Sequence, residues 1–285
     1  MATAARSGQG QARRRLAGHV LLHAILIVGA LATLVPLGWM VAASFMTAGE
    51  ANSLPPRLLP QHPTLQNYVT MFTRLDLLKH FINSAIVTLL ATVLSVLVNS
   101  LAGYAFAKLP FPGREKLFKS LAAALVVPAQ VGMLPLFLLL RQLGLVNTYA
   151  GVLVPYLASI FGIFMIRQYA LSVPDDLLDA ARVEGANEWA VFRLVALPVI
   201  KPILVTLAAF TFLSAWNDFM WPLIILADSD MYTLPVALAN LVGEHVQDTE
   251  LMMAGSVVTI MPALAVFLVF QRTYVHGIMS GGVKG

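Results

Sequence analysis

Six long apolar stretches constrain the fold of this chain more than any other feature. A helix needs about 20 mostly apolar residues to cross the hydrocarbon core of a bilayer. Apart from Asp218 in the fifth, the stretches contain no Asp, Glu, Lys or Arg, and they are 16–48, 81–107, 121–140, 149–166, 202–227 and 251–270. We therefore predict an all-α integral membrane protein with six transmembrane helices.

The scarcity of charge excludes a soluble enzyme. Only 11% of the 285 residues are charged, whereas soluble domains average about 25%. The net charge of +4 does not indicate a nucleic-acid partner, because the basic residues lie in short gaps between apolar runs and do not form one basic face. We expect membrane lipid to be their neighbour. The chain has no cysteine, which excludes disulfides and thiolate metal ligands.

The positions of Lys and Arg predict the orientation, because cytoplasmic loops of membrane proteins are enriched in both. Fourteen of the 18 basic residues lie in the N-terminal segment, the 108–120 loop, the 167–201 loop and the C-terminal segment. Six spans place all four on one side. Both termini are therefore predicted to be cytoplasmic.

The segment 172–200 is too long for a simple connection and carries helix signals. Pro174 and the carboxylates after it suit a helix N-terminus. Gly185 is predicted to end that helix, and a second helix is predicted from Asn187 to Ala196, closed by Leu197-Pro198. One alternative is an amphipathic helix in the lipid headgroups. The other, favoured because the polar face is acidic as often as basic, is a docking surface for a protein partner.

The same segment carries a recognisable motif. Asp179-Ala180-Ala181-Arg182-Val183-Glu184-Gly185-Ala186, with Leu197-Pro198 twelve residues past Gly185, resembles the EAA loop of ABC importer permeases. The family pattern begins with Glu, where this chain has Asp179. The stretch 216–223 and the C-terminal stretch 270–285 are similar to the sugar (carbohydrate uptake) branch that includes the maltose system.

The resemblance implies a type I ABC importer transmembrane domain. It would occupy 80–276, after a first helix and external Pro-rich loop in 1–79 and before a cytoplasmic tail in 277–285. The loop 172–200 would dock on an ATPase subunit. The residues that would carry this coupling are Asp179, Ala180, Ala181, Arg182, Gly185, Leu197 and Pro198.

The resemblance also implies the partners and the location. These would be a second permease subunit in a heterodimer, two copies of an ATP-binding subunit, and an external solute-binding protein. The complex would move a sugar or sugar-like solute across the bacterial inner membrane by alternating access. ATP and Mg would be bound by the ATPase, with no cofactor in this chain.

No catalytic or metal-binding motif is present. The phosphate loop G-x-x-x-x-G-K-[ST] is absent, so this chain is predicted to be a non-catalytic subunit. His19 and His23 have metal-ligand spacing, but a wetted helix end is the preferred interpretation. We therefore predict no metal site.

The substrate pathway is the least determined feature. A carboxylate such as Asp218 is costly in a membrane and should face the bundle or water. With Trp216, Asn217 and Asn83 it could line a sugar pathway. Alternatively, Asp218 lies near the external end and the tryptophans form an interface belt. Two other functions stay open, namely a secondary transporter without an ATPase and an ABC permease for a non-sugar solute such as a glycerol phosphate derivative.

Overall fold

The computed structural model describes the backbone of residues 2–55, 57–244 and 248–282, and the side chains of 18–55, 57–240 and 248–271. All regular structure in these ranges is helical. The end of the predicted cytoplasmic tail, 283–285, lies outside the described residues. The chain divides into two compact units, 1–71 with 245–257 and 72–244 with 258–285.

Thirteen α-helices are found in the described residues. In chain order they are α1 (Ala2–Ser44), α2 (Gln66–Arg74), α3 (Leu77–Lys108), α4 (Arg114–Ala124), α5 (Ala129–Gln142), α6 (Tyr149–Leu157), α7 (Ile160–Ala170), α8 (Asp175–Val183), α9 (Glu188–Ala190), α10 (Leu197–Trp216), α11 (Met220–Ile225), α12 (Leu234–Glu244) and α13 (Thr249–Gly282). A π-helical turn, Val191–Ala196, joins α9 to α10, and a 3₁₀ turn, Ser229–Met231, precedes α12.

The membrane-spanning prediction is confirmed in outline. Five helical segments are long and apolar enough to cross a bilayer: Gly18–Ser44, Leu77–Lys108, Tyr149–Ala170, Glu188–Trp216 and Thr249–Gln271. The pair α4 and α5 makes a sixth if it is counted as one span, although the two are bent by 100°. The protein is thus an all-α, multi-pass membrane protein.

Two predicted spans have the wrong form. The third, 121–140, is not one helix, because α4 ends at Ala124 and α5 begins after Pro128, which has no amide N–H and disfavours helical backbone in the residue before it. The fifth, 202–227, is shifted toward the N-terminus. Its helix begins at Glu188 and ends at Trp216, and α11 is separate.

In the first unit, carboxylates organise the loop that follows α1. Glu50 is buried, and its two oxygens accept hydrogen bonds from the backbone N–H groups of Thr47 and Gln61. Glu250, which is fully buried, accepts the backbone N–H of Ala51. The Pro-rich segment predicted as extended is therefore tied back to its own unit at several points.

In the second unit, α7 and α10 pack on α3, which lies at the centre. At the closest approach of α3 to α7, a Cβ added to Gly103 would lie 2.6 Å from Cγ2 of Ile166. Because glycine has no Cβ, the two helices can come this close. Gly103 is thus the point at which α3 and α7 pack most closely.

The span formed by α6 and α7 is interrupted, and a buried amide on α3 satisfies the break. The backbone N–H of Ser159 donates to Oδ1 of Asn99 at 3.0 Å. The Nδ2 group of Asn99, which is fully buried, donates to the carbonyl and hydroxyl of Ser95 at 2.6 and 2.8 Å. A freed backbone group inside a membrane needs such a partner, so Asn99 has a structural use.

Candidate coupling site

The helix pair α8 and α9 rests on the ends of three membrane helices. A cluster of buried apolar side chains, here called the platform, joins them and contains Tyr104, Ala107, Ile166, Ala170, Val173, Leu178, Val191, Phe192, Ala196, Ile200, Ile203, Leu204 and Leu207. Leu178 of α8 is 1% exposed. The apolar side of α8 therefore faces the bundle, and the segment 172–200 is a folded part of it.

Lys108, the last residue of α3, fixes the start of α8. Its ammonium donates to the carbonyl of Val173 at 2.6 Å and to Oδ1 of Asp175 at 2.7 Å, and its side chain is only 6% exposed. The hydrogen bond from Lys108 lowers the pKa of Asp175 below its ordinary value. The beginning of the segment is thus tied to the membrane helix on which the whole unit is built.

Gly185 ends α8 in a Schellman motif. The backbone N–H of Ala186 donates to the carbonyl of Ala181 at 3.0 Å, and that of Gly185 donates to the carbonyl of Arg182, also at 3.0 Å. The φ angle of Gly185 is 90°, a left-handed conformation that favours glycine. A Cβ at this position would meet no atom within 4 Å. The preference for glycine therefore comes from the backbone conformation and not from a lack of space.

Arg182 links the two helices across the glycine. Nη1 contacts Oδ1 of Asp179 at 2.7 Å, while Nε and Nη2 contact the two carboxylate oxygens of Glu188 at 2.8 and 3.3 Å. A planar guanidinium can hold two carboxylates in this way, which an ammonium cannot. Arg182 therefore fixes the angle between α8 and α9.

The second helix of the unit continues directly into the membrane, which corrects the predicted closure at Leu197-Pro198. It starts at Asn187, whose Oδ1 accepts the N–H of Ala190 at 2.8 Å. Helix then runs from Glu188 to Trp216 without a break. In the π turn the N–H of Leu197 donates to the carbonyl of Phe192, five residues back. Pro198 follows the π turn as the second residue of α10.

The exposed face of the unit is small and partly apolar. Leu177 and Val183 are 46% and 88% exposed, and Ala180 is also exposed. Ala181, in contrast, is partly buried and packs against the platform. The two alanines of the motif therefore differ, since Ala180 faces outward and Ala181 supports the fold.

All four predicted pathway residues have hydrogen-bond partners inside the chain, and for Asn217 the partner is the carbonyl of Leu213 at 2.7 Å. The indole of Trp216 is 2% exposed and donates to the carbonyl of Thr259 at 2.9 Å. Nδ2 of Asn83 donates to the carbonyls of Asp230 and Tyr232 at 2.9 and 3.1 Å. Trp221, which was expected either at a pathway or in a belt, is also buried. These contacts favour a structural role for all three residues.

Asn217 and Asp218 lie at the break between α10 and α11. Asn217 is exposed, and Asp218 is half-buried. Oδ2 of Asp218 accepts the hydroxyl of Tyr156 at 2.6 Å, and its Oδ1 accepts the N–H of Trp221 at 3.3 Å. Asp218 thus caps α11 and joins the interrupted spans of α6 and α10.

Sequence reasoning treated Lys108 and Arg167 only as topology signals and missed their structural roles. Arg167 is buried, contacts Glu115 at 2.7 Å and the carbonyl of Phe106 at 3.2 Å, and places its guanidinium carbon 3.9 Å from the ring centre of Phe118. A charge at the end of an apolar run gives no signal that distinguishes a buried anchor from an exposed residue. Within the residues that the structure describes, no group of His, Asp or Glu side chains could hold a metal ion.

Comparison with known proteins decides the family. The family described as "Binding-protein-dependent transport system inner membrane component" matches residues 115–278. The chain belongs to this family. It is 39% identical over 253 residues to the arabinooligosaccharides transport system permease protein AraQ of Halalkalibacterium halodurans, a match that covers 88% of this chain and 91% of AraQ. It is 34% identical to the diacetylchitobiose uptake system permease protein NgcG of Streptomyces coelicolor, over 91% of this chain and 87% of NgcG.

A solved structure gives the same fold. A chain from the crystal structure of a bacterial ABC transporter involved in the import of the acidic polysaccharide alginate matches with a TM-score of 0.80 and 25% identity, over 90% of this chain and 96% of that chain. The type I ABC importer fold and the prediction of a transport subunit rather than an enzyme are confirmed. The matched residues contain the whole segment 172–200.

Proposed function

We propose that this chain is the permease subunit of an ATP-driven importer for a sugar or sugar-like solute, and that α8 and α9 couple it to a separate ATPase. The partners would be a second permease, two ATP-binding subunits that hold ATP and Mg, and an external solute-binding protein. Its location would be the bacterial inner membrane, with both termini in the cytoplasm. The sugar uptake named for AraQ and NgcG supports the solute class.

The observation that carries the proposal is the rigid connection from the exposed face of α8 to the membrane span. Arg182 locks α8 to α9, and α9 is continuous with α10 as far as Trp216. A displacement applied at Ala180 can therefore be transmitted to α10 without passing through a flexible loop. A docking helix joined by a mobile linker would lose that displacement.

For the solute pathway we propose only Asn217 and Asp218. Both lie at the break between α10 and α11, where the polar groups of the chain are not all hydrogen-bonded within a helix. Hydroxyl groups of a sugar could exchange with the Tyr156–Asp218 hydrogen bond. Trp216 and Asn83 would act by holding the neighbouring helices in place, as their contacts indicate.

The test of coupling compares Ala180→Arg with Ser120→Arg, each in the full complex. Both residues are exposed, and both are predicted to lie on the cytoplasmic side, but Ser120 is on α4, outside the coupling segment. We expect Ala180→Arg to reduce both co-purification of the ATPase and solute uptake at least tenfold, because a long charged side chain prevents close contact between α8 and the ATPase subunit. Ser120→Arg should leave both unchanged.

The measurements are ATPase recovered per permease and uptake of radiolabelled solute into proteoliposomes. Equal amounts of permease in the membrane are required for both variants. Normal uptake and normal ATPase recovery with Ala180→Arg would contradict the assignment of α8 as the coupling helix.

A further inference from the structure

An apolar groove of about 890 Å³ runs between α3 and the continuous helix from α9 to α10, within the second unit. Its walls include Val93, Val96 and Leu97 on one side and Phe192 and Leu204 on the other. Ser100 and Thr92 supply the few polar atoms of the α3 side. A sugar would find too few hydrogen-bonding partners there, so the groove does not fit the transported solute.

Two basic side chains line the groove eight residues apart, which corresponds to about 12 Å along the helix. Arg193 and Lys201 both line it and are both exposed. Among the ion pairs of the described residues, neither side chain has a carboxylate partner. Trp189, 56% exposed, also lines the groove, and tryptophan is typical of the headgroup region.

The dimensions of the groove fit one leaflet of a bilayer. Leu197 and Ala208 line it along α10, and eleven residues of helix correspond to about 16 Å. Half the hydrocarbon thickness of a bilayer is about 15 Å. The part of the groove from Leu197 to Ala208 therefore matches one leaflet, and Trp189, Phe192 and Arg193 line the part that continues toward the headgroups. Lys201 can reach the headgroup level by extending its aliphatic stem.

We propose that this groove binds one anionic phospholipid of the cytoplasmic leaflet, with an acyl chain along α3 and α10 and the phosphate between Arg193 and Lys201. The choice of leaflet rests on the proposed function, since it uses the predicted orientation. Arg193 and Lys201, which have no carboxylate partner within the described residues, together with the apolar walls complement a lipid with a negative headgroup. An interface with the partner permease would instead bury both charges and would need carboxylates of the partner to offset the cost.

The lipid would support the coupling segment, because the groove is bounded by the π turn that joins α9 to α10. Phe192 belongs both to the groove and to the platform. With the phosphate between Arg193 and Lys201, the headgroup side of the lipid would fill the space beside Phe192 and the π turn.

The experiment uses the complete complex with its partner permease and ATPase, purified and placed in nanodiscs that contain phosphatidylglycerol and phosphatidylcholine in equal amounts. Lipids that remain after detergent extraction are counted by native mass spectrometry. We expect one retained phosphatidylglycerol. Each basic residue near an anionic headgroup contributes about fivefold, so retention should fall about 25-fold in the double variant Arg193→Gln, Lys201→Gln.

The matched control is the double variant Lys116→Gln, Lys119→Gln. It removes two exposed cations on the same predicted side, outside the groove, and should retain the lipid. A second variant, Ala208→Trp, fills the deep end of the groove. It should reduce retention of phosphatidylglycerol although both cations remain, which separates a lipid in the groove from simple attraction to the surface.

Equal retention by the wild type and the Arg193→Gln, Lys201→Gln variant would overturn the proposal. So would efficient cross-linking of a Leu97→Cys variant to the partner permease, because the groove would then be covered by protein. Recovery of the ATPase is measured in every sample. A wild-type complex that retains the lipid but contains no ATPase would refute the coupling function and leave the lipid site intact, so the two failures are distinguishable.

Discussion

Gly103→Ala tests whether the close approach of α3 and α7 sets the position of the platform. The new Cβ would lie 2.6 and 2.7 Å from Cγ2 and Cβ of Ile166, and 3.2 Å from the backbone nitrogen of Arg167. Ile166 is fully buried, so neither helix can yield by a side-chain rotation alone. Overpacking of this kind costs about 1–3 kcal/mol. This cost offsets or exceeds the gain of about 1 kcal/mol in stability that alanine gives over glycine in a helix interior.

The control is the same substitution where there is space. Gly132 lies in α5 and has no atom within 4 Å of an added Cβ, so Gly132→Ala should stabilise by up to about 1 kcal/mol. The unfolding free energies of the two variants should therefore differ by about 1–3 kcal/mol. Each kcal/mol corresponds to a difference of about 2–4 °C in Tm. Thermal unfolding in one detergent measures this difference. A Gly103→Ala protein as stable as Gly132→Ala would refute the argument from close packing.

Two further predictions concern polar anchors. Lys108→Gln removes the ammonium that lowers the pKa of Asp175. A carboxyl group whose pKa is lower in the folded than in the unfolded protein stabilises the fold at pH values above the unfolded pKa. That stabilisation is lost as the pH falls through the folded-state pKa. In the wild type, the backbone amides of α8 should therefore lose protection from hydrogen exchange only on acidification below about pH 4. In Lys108→Gln, the same amides should be less protected at neutral pH, and their protection should depend less on acidification. Asn99→Leu leaves the N–H of Ser159 unpaired inside the bundle and should cost about 1–3 kcal/mol of unfolding free energy, measured by Tm; an unchanged Tm would mean that water or another group satisfies Ser159.

The sequence was sufficient for the number and nature of the spans because membrane insertion depends on local composition. A run of about 20 apolar residues is recognisable without knowing its neighbours. It was not sufficient for the ends of helices. At the break before Pro128, residues 125–127 form turns that bond back to α4, and the fifth span extends back to Glu188 through a π turn. Neither hydrogen-bond pattern can be read from apolar composition.

The residues proposed for coupling illustrate the same division. The motif identified Gly185 and Arg182 by their spacing, and the structure assigns to them a left-handed turn and a two-carboxylate contact. The motif could not distinguish Ala180 from Ala181, because adjacent alanines are chemically identical. Only the position of the platform decides that one faces outward and the other is packed.

What the sequence by itself determined is the all-α membrane fold, the coupling motif and the family, since these follow from apolar length and residue order. The tertiary structure decided which polar residues are anchors. Lys108 and Arg167 are buried against carbonyls and carboxylates, and Trp216 and Asn83 are used inside the chain. The physical reason is that the cost of a polar group in a membrane depends on the partner it meets, and the partners come from helices distant in sequence.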